Sequence, residues 1–256
     1  MQFIQRFELI LFMAQSKLKS ESTRTYFSFF WWIIEPVMLM LVYFVVFGVI
    51  LGRAEPDYIP FLLTGIVVWN WFSNTVMHSA DSISGNAGLV TRVPIAKWIF
   101  PLVIVVMDPI QQVLVFAVLI VFLILVGFDL TINFIYLPVV MFVQIILILS
   151  CSFVVAAITP YIVELKFFLG TGLRVAMYLS GVIYSIERVP ESIRGYFEVN
   201  PMLQLAESYR NILMYQKPPE LESLLYVFLG SLVFLAIGLK LMSYFSQDYP
   251  RALLER

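Results

Sequence analysis

Long apolar stretches alternate with short polar connections along most of the chain. A helix needs roughly 20 mostly apolar residues to cross the hydrocarbon core of a bilayer. Six stretches of this kind are found at residues 29–51, 59–78, 99–126, 135–159, 167–186 and 224–245. The pattern predicts an all-α membrane protein with six transmembrane helices.

The third stretch is too long for one simple span. As a continuous helix, its 28 residues would extend about 42 Å, against a hydrocarbon core of about 30 Å. Asp108-Pro109 lies inside it, and a proline removes one helical hydrogen bond and disfavours helix at the residue before it. We therefore expect a kink or a break at this step.

The N-terminal residues, 1–28, form a separate segment ahead of the transmembrane domain, which covers residues 29–256. Apolar side chains in this segment recur on one helical face, at Phe3, Phe7, Ile10, Leu11 and Ala14. A helix with one apolar face and one polar face is typical of a membrane interface. The segment is predicted to lie there.

The connection at residues 187–223 also carries a helical pattern. Asn200-Pro201 combines a favourable helix N-cap with proline at the first helical position. One apolar face follows, at Met202, Leu205, Ala206, Tyr209 and Leu213. We expect two short helices, around 190–197 and 201–214, that re-enter the outer membrane face before the last span.

Composition agrees with a membrane location. Hydrophobic residues make up 61% of the chain and charged residues 13%, whereas a soluble domain is about half apolar and about a quarter charged. The 16 basic and 17 acidic residues nearly cancel, which argues against nucleic acid as a partner. One cysteine and one histidine exclude a zinc site built from cysteine or histidine clusters.

The distribution of basic residues predicts the orientation, because cytoplasmic loops are enriched in lysine and arginine. With six spans, both termini face the same side. That side carries Arg6, Lys17, Lys19, Arg24, Arg92, Lys97, Lys166, Arg251 and Arg256. The opposite side carries Arg53, Arg188, Arg194, Arg210 and Lys217. The bias favours cytoplasmic termini.

Few residues suggest catalysis or ligand chemistry. The chain has no GxxxxGK[ST] phosphate loop, so if ATP and Mg²⁺ drive its work they are expected on another polypeptide. Charges inside spans are functional candidates, and Glu35 and Asp108 each precede a proline. For both, capping of a proline-broken helix or pairing with a basic neighbour is favoured over a proton relay.

Aromatic residues make up 16% of the chain, and two stripes recur at helical spacing within predicted spans. The first stripe includes Trp32, Tyr43 and Phe47, and the second Arg174, Tyr178 and Tyr184. Such residues pack in bundle cores and at membrane interfaces. They would equally suit a conduit wall, because sugar rings stack their C–H faces on aromatic rings.

Four further motifs occur in order along the chain, and the first span opens with an aromatic pair and a Glu-Pro step. The motifs are Trp31-Trp32-Ile33-Ile34-Glu35-Pro36, Phe61-Leu62-Leu63-Thr64-Gly65 with Trp69-Asn70-Trp71-Phe72, the segment 84–97, and Val189-Pro190-Glu191-Ser192 with Asn200-Pro201-Met202. These motifs and their order resemble the permease subunits of ABC exporters that move polysaccharides.

The resemblance implies a homodimer bound to two ATPase subunits in the bacterial inner membrane. The substrate would be a lipid-linked polysaccharide, with O-antigen favoured over capsule or teichoic acid. A coupling helix would contact the ATPase through Asn86, Leu89, Val90 and Arg92. The first and fifth spans would line a channel through Trp32, Tyr43, Phe47, Arg174, Tyr178 and Tyr184.

Two other functions are open at this point. A permease of the same fold could export a small hydrophobic drug or haem. A polytopic enzyme could act on a polyprenyl-phosphate lipid, which would require catalytic side chains clustered at one membrane face.

Overall fold

The structure of the protein is a computed structural model that describes residues 3–23, 28–50 and 57–254. Within these ranges the chain forms helices joined by short turns and contains no strand, which confirms the all-α prediction. The helices are α1 Phe3–Thr23, α2 Ser28–Tyr43, α3 Tyr58–Ala80, α4 Ala87–Arg92, α5 Ile99–Val126, α6 Leu137–Ile158, α7 Leu165–Leu179, α8 Glu191–Glu198, α9 Pro201–Leu213, α10 Leu221–Phe245 and α11 Tyr249–Leu254.

Four helical segments in the described part of the chain are long and apolar enough to cross a bilayer. They are α3, α5, Ile132–Ile158 and α10. The third segment consists of a short 3₁₀ turn followed by α6. α2 passes directly into a π-helix, Phe44–Ile50, so that the first predicted stretch is also helical.

α7 is shorter than the stretch predicted at 167–186. The helix ends at Leu179, and Gly181 follows with a positive φ of 60°. That backbone conformation favours glycine and stops a right-handed helix. The 15 residues of α7 extend about 22 Å, which is less than the hydrocarbon thickness.

α5 is continuous through Pro109, so of the expected kink or break the structure rules out the break. The N-terminal turns of this 28-residue helix pack against α1. Ile10 and Ala14 of α1 are buried there against Ile99 and Val103 of α5. The first turns of α5 therefore support the N-terminal helix.

α3 is the central helix of the bundle and packs against α5, α6, α7 and α9. Buried polar side chains tie its backbone to two of these neighbours. Gln144 of α6 donates a hydrogen bond to the Val68 carbonyl over 2.9 Å and accepts one from the Tyr209 hydroxyl of α9 over 2.7 Å. This fixes the depth at which three helices meet.

α8 and α9 confirm the two short helices predicted before the last span. The Asn200 side chain accepts a hydrogen bond from the Met202 backbone N–H over 2.9 Å, and Pro201 occupies the first helical position. The predicted apolar face of α9 is buried in full, at Met202, Leu205, Ala206, Tyr209 and Leu213.

Arg210 of α9 joins three parts of the chain. Its fully buried guanidinium donates to the carbonyls of Phe61, Gly181 and Val182, with the shortest of these contacts 2.9 Å, and to the Glu207 carboxylate over 2.7 Å. It also lies 3.4 Å from the centroid of the Phe61 ring. The start of α3, the turn after α7 and α9 therefore meet at one side chain.

A glycine of α3 makes room for this contact. A Cβ atom at Gly65 would lie 2.6 Å from the Arg210 guanidinium and 2.8 Å from the Val182 carbonyl oxygen. Both distances are shorter than atoms tolerate, so an alanine here would push the guanidinium and the turn after α7 away from α3.

Replacing Arg210 with methionine is expected to destabilise the protein strongly. The change leaves three backbone carbonyls and the Glu207 carboxylate without their donor, and breaking a buried ionic network costs about 3–5 kcal/mol. Thermal unfolding of the purified full chain in detergent measures the loss. Arg251→Met, at an exposed position of α11, is the control and should shift the transition little. Equal transitions for the two variants would contradict the role of Arg210.

Candidate functional site

The segment between α3 and α5 presents a short exposed helix, α4, on a compact base. The Asn86 side chain donates a hydrogen bond to the Ser82 carbonyl over 2.7 Å and fixes the turn that precedes α4. Leu89 is 42% exposed, and Arg92 is exposed as well. An apolar and a cationic side chain therefore project from the same short helix.

Val90, the fourth predicted coupling residue, faces inward. Its side chain is 2% exposed and packs in a cluster with Ile83, Phe100 and Tyr249. Tyr249 begins α11, and its hydroxyl donates to the Ala157 carbonyl at the end of α6 over 3.2 Å. α4 therefore packs on α11, α6 and α5, and its exposed face presents Leu89 and Arg92, with half-buried Asn86 in the turn before it.

Lys97 stabilises the C-terminal end of α4, a role that the sequence did not suggest. Its buried ammonium donates to the Val90 carbonyl over 2.8 Å. The last carbonyls of a helix lack partners within the helix, and a cation near them is favourable. Burial lowers the pKa of the Lys97 ammonium from its ordinary value.

The predicted channel residues on the α2 stretch lie partly outside what the structure describes. The side chains of Trp32 and Phe47 are outside the described residues. Tyr43 is half-buried and lines a cavity between α2, α3 and α5.

The predicted channel residues on the other stripe fall into two groups. Arg174 and Tyr178 are exposed on α7, with Tyr178 60% exposed. Tyr184 lies beyond the end of α7, where its ring meets the ring of Phe197 edge to face at 6.4 Å. The structure therefore places Tyr184 apart from Arg174 and Tyr178.

α7 is attached to α3 by polar contacts at both of its ends, while one face along its length is exposed. Lys166, in its first turn, pairs with Asp81 just after α3. At the other end, the carbonyls of Gly181 and Val182 bind Arg210. No residue of α7 is buried. Between these ends α7 packs on the core through one half-buried face, at Leu169, Leu173, Ala176 and Met177, and its opposite face is free for a neighbour or a conduit.

A cavity of about 400 Å³ lies beside the Gly181 turn, near the start of α3. Its lining is aromatic and charged, and consists of Asp57, Tyr58, Phe61, Tyr184, Ser185, Glu187, Arg188 and Tyr215. The Phe61 ring under Arg210 forms part of its wall. The cavity therefore adjoins the contact that holds α7.

A second, smaller cavity lies between α2, α3 and α5 and has a volume of about 140 Å³. Asp108 lines it, and its carboxylate lies 3.0 Å from Nδ1 of His78. Pairing with a neighbouring basic group was one of the two roles favoured for Asp108 from the sequence. The sequence did not identify His78 as that neighbour, because the two residues lie on different helices.

The described residues hold no group of three or more histidine, cysteine, aspartate or glutamate side chains placed to bind a metal ion. The site consists instead of an exposed short helix, one exposed apolar helix and two polar-lined cavities. Such an arrangement suits docking and passage of a ligand.

Comparison with known proteins supports this interpretation. A sequence profile of the family described as ABC-2 type transporter matches residues 9–214. An O-antigen export system permease protein RfbA from Myxococcus xanthus is 28% identical over 229 residues, which cover 89% of this chain and 88% of the relative. A Klebsiella pneumoniae protein with the same name is 24% identical over 209 residues, 81% of each chain. The polysialic acid transport protein KpsM of Escherichia coli is 26% identical over 223 residues, 83% of this chain and 84% of the relative.

Removing the Lys97 ammonium is expected to loosen α4. The variant Lys97→Met leaves the Val90 carbonyl without its donor, and a net hydrogen bond is worth about 1 kcal/mol, or roughly fivefold in a local opening equilibrium. Amide hydrogen exchange measured by mass spectrometry should therefore become faster in residues 87–93. Lys217→Met, at an exposed position far along the chain, should leave that exchange unchanged. Unaltered exchange in Lys97→Met would show that packing alone holds the helix.

Proposed function

Because the chain belongs to the ABC-2 type transporter family, we propose that it is the pore-forming permease subunit of an exporter that moves a lipid-linked polysaccharide across the bacterial inner membrane. The observation that carries the proposal is the match over residues 9–214, together with relatives named for O-antigen export and polysialic acid transport. O-antigen is the favoured substrate, and capsule or teichoic acid is the next choice.

The proposed topology has six spans. α2 with its π-helical extension and the short α7 join the four longer apolar segments, and both termini face the cytoplasm. α1 would lie in the interface as part of the cytoplasmic segment 1–28, since Phe7 and Phe12 are 57% and 67% exposed while Ile10 packs on α5. α8 and α9 would re-enter the outer face of the membrane domain, which covers residues 29–256.

ATP and Mg²⁺ would bind to a separate ATPase subunit, and two copies of each subunit would assemble. The exposed face of α4 suits the coupling role, because Leu89 and Arg92 project to the outside while Val90 packs on the core, and Asn86 would contribute from the turn before the helix. Val90 would act from within the chain, by transmitting the position of α4 to the α11 and α6 cluster. The N-terminal helix α1 would contact membrane lipids at the cytoplasmic interface.

The conduit would form between two copies of the chain. α7 has no buried residue, and α2 exposes Val37, Met38 and Leu41, so both helices present faces that a single copy leaves uncovered. Tyr43 and Tyr178 lie on these helices, with Arg174 beside Tyr178. By their place in the sequence, Trp32 and Phe47 would belong to the same wall, and Tyr184 would lie where the conduit meets the cavity of about 400 Å³ beside the Gly181 turn.

The first test concerns the energy source. The purified chain alone should hydrolyse no ATP, and co-expression with its cognate ATPase should yield a complex with two copies of each subunit. Native mass spectrometry gives the stoichiometry, and phosphate release gives the activity. ATP turnover by the rigorously purified chain alone would contradict the proposal.

The second test concerns the conduit wall. Tyr178→Ala should lower export, measured as surface polysaccharide, while changing stability by no more than about 0.5 kcal/mol, because the side chain is exposed. Phe116→Ala is the matched control, since this ring is buried and its loss should cost about 3–5 kcal/mol. Normal export by a stable Tyr178→Ala variant would remove the aromatic wall from the proposal.

Deleting the gene that encodes the chain distinguishes export of a polysaccharide from export of a small hydrophobic molecule. Loss of surface polysaccharide is expected. A normal polysaccharide layer, combined with new sensitivity to a hydrophobic drug or to haem, would indicate the small-molecule export that the same fold permits.

A further inference from the structure

The cavity between α2, α3 and α5 is built as a polar pocket inside an apolar bundle. Its α3 wall carries amide, hydroxyl and imidazole groups at one-turn spacing, at Asn70, Asn74, Thr75 and His78. Asp108, Gln111 and Gln112 of α5 face them. A wall of this composition is costly inside a membrane unless it lines water or binds a ligand.

Three residues that line the cavity hold buried polar atoms without a hydrogen-bond partner. They are Nε1 of Trp71, Oγ1 of Thr75 and Oδ1 of Asp108. The three residues are only 2%, 1% and 6% exposed. Because buried polar atoms are nearly always hydrogen-bonded, these atoms indicate a polar group that occupies the cavity.

The chemistry of the three atoms defines that group. The Trp71 indole N–H only donates, an ionised carboxylate oxygen only accepts, and the Thr75 hydroxyl does both. The ligand must therefore offer acceptors and donors within a short distance, as neighbouring hydroxyl groups do. Among the residues that the structure describes, no lysine or arginine lines the cavity, and the His78 imidazole is already paired with Asp108, so the cavity offers a phosphate no arginine or lysine partner.

The position of the cavity connects it to the proposed conduit. Tyr43, one of the proposed wall residues, lies on its rim, and its ring can stack on the apolar face of a sugar. Liquid water occupies about 30 Å³ per molecule, so a volume of about 140 Å³ equals that of four or five water molecules. A single ring or a short branch can enter, whereas the polymer as a whole cannot.

We propose that this cavity is a side site that binds one uncharged, hydroxyl-rich sugar unit of the exported polymer. This inference rests on the proposed function and adds to it a specific site. Trp71 and Thr75 would donate to sugar oxygens, and Asp108, held in place by His78, would accept from a sugar hydroxyl. The site would select among polymers by the pattern of hydroxyl groups on one unit.

Protection of a cysteine from labelling tests the site. The full chain with Cys151→Ser and Asn74→Cys is reconstituted with its ATPase in nanodiscs and treated with a water-soluble thiol reagent. Asn74 is exposed on the cavity wall, so the cysteine should react. The probe is the oligosaccharide repeat unit released from the surface polysaccharide of the host. At about twice its dissociation constant it should slow labelling about threefold, because two thirds of the sites are then occupied.

Gln247→Cys, in the exposed turn between α10 and α11, is the matched control and should react at one rate with and without the oligosaccharide. An equal rate for Asn74→Cys at all probe concentrations would overturn the site and indicate that only water occupies the cavity.

If the Asn74→Cys variant does not accumulate in the membrane, export by the Thr75→Val variant tests the site instead. Loss of the hydroxyl should lower export, whereas Ser231→Ala, which removes a buried hydroxyl bonded within α10, should not. Unchanged export by Thr75→Val would overturn the site.

Deletion of the chain distinguishes a failure of this site from a failure of the proposed function. If deletion removes surface polysaccharide but the probe gives no protection, only the side site is wrong. If deletion leaves surface polysaccharide intact, the exporter function is wrong and the side site falls with it.

Discussion

One buried guanidinium fixes the C-terminal end of α7 against α3 and α9. Arg210 is fully buried, so its charge is stable there only because backbone carbonyls of α3 and of the Gly181 turn, together with Glu207, accept its hydrogen bonds. The ion pair of Lys166 with Asp81 at the other end of α7 is partly exposed, and such pairs are worth about 0–1 kcal/mol. α7 itself packs on the core only through half-buried side chains such as Leu173 and Met177, so Arg210 supplies the fully buried contact that fixes its C-terminal end.

At the opposite end of the bundle, α4 is also positioned by a small number of side-chain contacts. α4 has only six residues, too few to be stable as an isolated helix, so its position must come from the groups around it. Lys97 donates a hydrogen bond to the Val90 carbonyl, and Tyr249 packs on the buried side of α4 while its hydroxyl bonds to the end of α6. Both functional surfaces are thus short or exposed helices positioned by a few side-chain contacts to backbone carbonyls, which leaves their outward faces free for partners.

The sequence predicted those features that depend on local pattern. The apolar lengths gave the all-α class, and Asn200-Pro201 with its apolar face gave α9. Features that depend on distant partners were missed. Arg210 was counted as a loop charge, but its Phe61 partner lies 149 residues away in the chain. Val90 was assigned to a docking surface, although packing with Tyr249 turns it inward.

Pro109 and Gly181 show why local sequence patterns did not predict where these helices end. Pro109 removes one backbone donor, yet the lost hydrogen bond does not end a long helix that is packed on several sides, and α5 continues through it. Gly181 lies just after the end of α7. Because glycine is also compatible with helix, its presence in the sequence does not predict this end, which follows from its positive φ in the folded chain.

α3 connects the two functional ends, and its composition follows from that position. It is the least hydropathic of the four long spans and also the most buried, which means that its polar residues face protein and cavity and that few face lipid. At one end its backbone binds Arg210, and at the other it leads through buried Ser82 and Ile83 into α4. If α4 docks on an ATPase as proposed, a displacement of α4 is passed to α3, because the turn between them is closed by backbone hydrogen bonds from Ser82, Gly85 and Asn86. The displacement then reaches α7 at both of its attachments, and the polar cavity beside Tyr43 lies along the same helix. Motion at α4 and access to the conduit would therefore be mechanically linked through the central helix.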